Sequence, residues 1–157
     1  MTKESLNKYT MKITQANAGE LLVIVYDIII EDLQSAKEVM TAGDVREFSY
    51  TVRHGQRFLL ELMNTLDHRY EISNELMSLY IYVNREMINA MIRNDASLLD
   101  NALMVLSKLR EAFATLAKDD DSPALMSNVT QVYAGLTYGK GSLNELSVED
   151  TNRGFKA

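Results

Sequence analysis

The stretch "ELMSLYIYVNREMINAMIRND", Glu75 to Asp95, decides the fold. It contains no proline or glycine, and its apolar residues recur at three- and four-residue intervals, so it reads as one long helix. Its apolar residues do not keep to one face. At about 100° per residue, Ile72, Leu76, Leu79, Tyr80, Val83, Met87 and Ala90 form one stripe. Met77, Ile81, Ile88 and Ile92 form a second, centred about 140° away. Only Glu75, Ser78, Tyr82, Glu86, Asn89 and Arg93 keep a polar strip between them.

The surroundings of this segment are equally helical. The chain has 157 residues, the length of one ordinary domain, with one proline and seven glycines. The first long helix begins at "NAGE", where Asn17 can cap and Glu20 can complete a capping box. It ends near Thr41, where Gly43 suits a left-handed stop. Asp44 caps the second helix, which runs to about Leu66. Ser73 opens the third, which ends at Asn94, and Asp95 caps the fourth, which reaches about Lys118 before "KDDDSP". Long helices joined by short connections pack as antiparallel neighbours, so the expected fold is an all-α, up-down-up-down four-helix bundle. Residues 1–134 are read as the bundle domain, with an N-terminal segment of about 1–17. A short fifth helix is expected after Pro123, and residues 135–157 read as a flexible tail.

The first long helix also has surplus apolar surface. Its core stripe is Leu22, Val25, Tyr26, Ile29, Leu33, Ala36 and Met40. Leu21, Ile24, Ile28 and Val39 flank it on one side, Val23 and Ile30 on the other. Large contiguous apolar surface is rare on monomers and marks an interaction site. Either the chain's own N-terminus or tail covers these stripes, or a partner helix does. Nine methionines suit a surface that adapts to a partner.

Several function classes fall away. A net charge of -6 gives no electrostatic footprint for nucleic acid. The absence of cysteine removes disulfides, thiolate metal sites and cysteine nucleophiles. Neither His54 nor His68 follows a glutamate at the spacing of a bundle-core metal pair, so no metal and no cofactor is expected. "GLTYGKGS" lacks the spacing of a phosphate loop. No apolar run reaches the length that spans a bilayer, so a cytoplasmic protein without membrane insertion is expected. His54, read as a solvated histidine, raises a histidine phosphotransfer bundle as one alternative, and a self-associating structural bundle is another.

The chain resembles the FliS family of flagellar secretion chaperones. "ANAGELLVIVYD" (Ala16 to Asp27) resembles that family's Ala-Ser-Pro-Gly-Glu-Leu-Leu run followed by Leu-Tyr-Asp. "LYIYVNREMINAMIRND" (Leu79 to Asp95) resembles its Leu-Tyr-Asp-Tyr-Met-x-Arg-Arg-Leu segment. Ile28 and Ile29 stand where Gly-Ala is usual, Ile81 where an acidic residue is usual, and Phe113 where tryptophan is frequent. The resemblance implies a non-enzymatic export chaperone for flagellin. It would bind the disordered C-terminal segment of flagellin by helix-in-groove contacts, block premature polymerisation and hand the client to the flagellar type III export apparatus. Flagellar regulators and export-apparatus components are further expected partners, and the chaperone is expected as a monomer or weak dimer. The client surface is assigned to Leu21, Ile24 and Ile28 together with Met77, Ile81, Ile88 and Ile92. Tyr9, Met11 and Ile13 are assigned to an N-terminal cap over the empty groove.

Overall fold

The computed structural model describes residues 3–126. They form α1 (Lys3–Gln15), α2 (Ala18–Thr41), α3 (Val45–Asn64), α4 (Ile72–Arg93) and α5 (Leu99–Ala117), with one 3₁₀ turn at Ala96–Leu98 before α5. The four long helices make the expected antiparallel bundle. Helix α2 packs against α3 and α5, and α4 packs against the same two, so α2 and α4 face each other across a diagonal.

Local chemistry sets the boundaries. The Asn17 side chain accepts the Glu20 N–H at 2.8 Å, and the Glu20 carboxylate accepts the Asn17 N–H at 3.0 Å, completing the capping box. Gly43 takes φ +82°, which a side chain would resist. Asp44 accepts the Glu47 N–H at 2.9 Å and starts α3. Asn94 ends α4 in the left-handed region at φ 52°. Two starts differ from expectation. Helix α4 opens at Ile72 without a side-chain cap, because the Ser73 hydroxyl is buried and donates to the Asp67 carbonyl instead. Asp95 caps the 3₁₀ turn rather than α5 itself. Of the short helix expected after Pro123, residues beyond Met126 lie outside the described chain, as does the tail expected at 135–157.

The core gathers one stripe from each long helix: Tyr26, Ile29 and Leu33 from α2, Phe48, Val52 and Leu59 from α3, Tyr80, Val83 and Met87 from α4, and Leu99 and Leu106 from α5. Ile72 and Leu79, members of the first α4 stripe, are exposed. Ile72 stands at the first position of α4, where no neighbouring turn covers it. Leu79 lies at the edge of the buried arc. At the diagonal, the Tyr26 and Tyr80 hydroxyls hydrogen-bond to each other, and Tyr26 stacks on Phe113 with ring centroids 5.7 Å apart. Burial raises both phenols, that of Tyr26 well above the ordinary tyrosine range.

This pair yields a test of the core. Tyr80→Phe strands the Tyr26 hydroxyl and should destabilise the bundle by about 1–3 kcal/mol. Adding Tyr26→Phe should recover part of that loss, because both polar groups are then gone. Urea unfolding of the two single variants and the double variant checks both signs.

Candidate functional site

The N-terminal segment is itself a helix. Leu6, Tyr9 and Ile13 fall on one side of α1, and Tyr9 and Ala16 join Ile24 and Ile28 of α2 in a second buried cluster, with Ile13, Leu21 and Phe58 packed on its edge. Helix α1 therefore covers the α2 residues assigned to the client surface. Leu21 is half-buried there, while Ile24 and Ile28 are buried. Of the three cap residues, Tyr9 is buried, Ile13 is half-buried and Met11 is 69% exposed. Met11 follows Tyr9 by two residues, about 200° around the helix, so it faces outward.

Polar contacts latch the cover. The Tyr9 hydroxyl donates to Glu31 Oε2 at 2.6 Å, and the Ser5 hydroxyl donates to Glu31 Oε1. Burial alone would raise the Glu31 pKa, but those two hydrogen bonds and the Lys8 charge outweigh it and hold the carboxyl below its ordinary range. Burial, then the bond to Glu31, raises the Tyr9 phenol.

The second stripe lies open. Ile81 is 53% exposed, Ile88 37% and Ile92 73%, with Met77 half-buried beside them. None of these four belongs to or packs against either buried cluster. Gln56 of α3 donates to Asn84 of α4 at 2.7 Å and ties the two helices along this border. Leu60, one turn on from Gln56 on α3, is also exposed. The sequence holds a signal for it: in the Leu59–Leu60 pair only one side chain can point inward, and Leu59 is fully buried.

His54 is not the solvated residue expected. Its Nδ1 lies 2.6 Å from Asp32 Oδ2, and its ring meets Phe58 edge-on at 5.3 Å. Asp32 is 1% exposed, and burial raises its carboxyl although the His54 bond opposes this. The α2–α3 approach here is close, since a Cβ on Gly55 would sit 3.2 Å from the Asp32 Cβ. The pair joins two helices and occupies one of the two imidazole nitrogens. Among the described residues no cluster of three or more His, Asp or Glu is placed to hold a metal, and no helix is long and apolar enough to cross a membrane.

Comparison with known proteins adds two findings. A family model described as "Flagellar protein FliS" matches residues 2–120. The protein named "Flagellar secretion chaperone FliS" from Bacillus subtilis (strain 168) is 24% identical over 111 residues, covering 68% of this chain and 84% of that relative.

The latch predicts two outcomes. Glu31→Ala should speed tryptic cleavage at Lys8 and Lys12 several-fold at neutral pH, with the thermal midpoint of the bundle little changed. The folded Glu31 pKa lies below its unfolded value, so its contribution is present at neutral pH and lost as pH falls through the folded value. Methyl resonances of Ile24 and Ile28 should accordingly shift on acidification, with a midpoint below about pH 4.3.

Proposed function

The chain belongs to the FliS family of flagellar secretion chaperones and is not an enzyme, and on that premise we propose that its client is flagellin, bound through the disordered C-terminal segment. The observation that carries this reading is the open stripe of Ile81, Ile88 and Ile92 on α4. Burying one isoleucine fully is worth about 1.5–3 kcal/mol, so three partly exposed ones hold several kcal/mol that a docked helix recovers. Flagellin's terminal segments are amphipathic, and their apolar faces drive subunit assembly. A chaperone that covers such a face blocks that assembly.

Reversibility follows from the client's disorder. Fixing each client backbone residue costs about 1–2 kcal/mol, which offsets much of the apolar gain and leaves the complex releasable at the export apparatus. Helix α1 supplies the second element. It occupies the Leu21, Ile24 and Ile28 side of α2 until a client segment competes for it, so the empty chaperone does not present both greasy surfaces together. Flagellin is then handed to the flagellar type III apparatus in an unassembled form. Export-apparatus components and flagellar regulators are further partners under this reading, and the cytoplasm is its compartment.

The test is capture by an immobilised flagellin C-terminal peptide. Ile81→Asp/Ile88→Asp should weaken capture at least tenfold while the far-UV spectrum stays helical, since both side chains already meet water. Undiminished capture would remove this face from the client site. Light scattering of the free protein gives the competing outcome: a mass that doubles with concentration, and stays single in the double variant, would assign the stripe to self-association.

A further inference from the structure

The outward side of α3 gathers positive charge in a chain that is acidic as a whole. At about 100° per residue, Arg46, Tyr50, Arg53, Arg57 and Leu60 fall within an arc of about 80°. That arc lies opposite the buried stripe of the same helix, Phe48, Val52, Leu59 and Leu62. All five side chains are exposed, Tyr50 by 59%. From Arg46 to Arg57 the stripe runs about 16 Å along the helix.

The arginines of this face have no carboxylate partner among the described residues. Arg69, Arg85 and Arg110, on other parts of the fold, each form an ion pair. Arg46, Arg53, Arg57 and Arg93 form none with a described residue, and three of those four share this face. Counter-charges are not scarce, since the chain holds 22 acidic residues against 16 basic ones. Glu61 follows Arg57 by one turn and borders the arc. An acid placed C-terminal to its base is the weaker order for such a pair, and the two form no ion pair. Glu47 stands about 100° round from Arg46, away from the stripe.

An unpaired arginine suits a carboxylate, because its planar fork donates two parallel N–H bonds. Tyrosine and arginine are also the side chains that carry much of the binding energy at protein interfaces. The net charge of -6 selects among anionic partners. An extended polyanion, such as a nucleic acid or an anionic bilayer, meets the repelling field of the whole chain as well as the stripe. At physiological salt that field decays over about 8 Å, so a short acidic helix laid along α3 senses chiefly the arginines beneath it.

We propose that the Arg46–Tyr50–Arg53–Arg57 face of α3 is a second docking surface, separate from the α4 stripe, and that its occupant is an acidic helix of a partner protein. Carboxylates at i, i+7 and i+11 of that helix repeat the spacing of the three arginines. An apolar residue between the first two lies over Tyr50.

The probe is a labelled alanine-based helical peptide with glutamates at i, i+7 and i+11, titrated into the full chain by fluorescence anisotropy, with its glutamine counterpart as control. The glutamate peptide should bind at least tenfold more tightly than the control, and less tightly as salt rises. Arg53→Glu combined with Arg57→Glu should weaken it at least tenfold with the far-UV spectrum unchanged. The same variant should still be captured by the flagellin C-terminal peptide, and Ile81→Asp/Ile88→Asp should still bind the glutamate peptide. Equal binding of the two peptides, or no effect of the charge reversal, would overturn the proposal. Loss of flagellin capture in the arginine variant would overturn the separateness of the two surfaces. Tighter, arginine-dependent binding to phosphatidylglycerol vesicles or to duplex DNA than to the glutamate peptide would overturn the choice of partner.

Discussion

A ring of four helices can hide only one arc of each member, and that limit governs this molecule. The arc is set at the diagonal, where Tyr26 of α2 meets Tyr80 of α4 in the middle of the core. Once those two side chains point at each other, the apolar residues outside the arc they share with Ile29, Leu33, Val83 and Met87 must face away from the core. Helix α2 then acquires a third neighbour, α1, which buries Ile24 and Ile28. Among the described residues helix α4 packs against α3, α5 and the 3₁₀ turn, and its surplus stays open to water.

The bundle was legible because its signals are local. The Asn17–Glu20 box, the glycine at 43 and the aspartate at 44 work over a few residues of chain, and each does what its side chain permits. Which stripe of each helix is core depends on neighbours that the wheel does not contain, so the exposed members of the first α4 stripe, Ile72 and Leu79, could not be told from its buried ones. His54 looked solvated among arginines because its partner, Asp32, sits on another helix. Helix α1 was read only as a cap. Its residues are mostly polar, and its apolar contacts at Tyr9 and Ile13 gain value only once α2 is beneath them. Leu60 was missed because the wheel of α3 alone does not say which of the Leu59–Leu60 pair its neighbours bury.

The two greasy surfaces differ in how they are kept from water. The α2 surface is covered by a helix that rests on a small apolar cluster and on one carboxylate, Glu31, which receives two hydroxyl donors. Such a cover is tied to the bundle at few points and can leave without disturbing the core, which shares no buried residue with it. The α4 surface has no such cover among the described residues. In the proposed function, the open stripe gives the client its first purchase and the latched one extends the contact. That division keeps the area exposed at any moment small, which limits unwanted association of the empty chaperone.

Hydrogen exchange of the full chain, with and without the flagellin C-terminal segment, tests this division most directly. Binding should slow exchange across Met77–Ile92 and quicken it across Lys3–Gln15, one surface gaining a helix while the other gives its cover up. Slower exchange confined to other helices, with α1 and α4 both unchanged, would contradict the account.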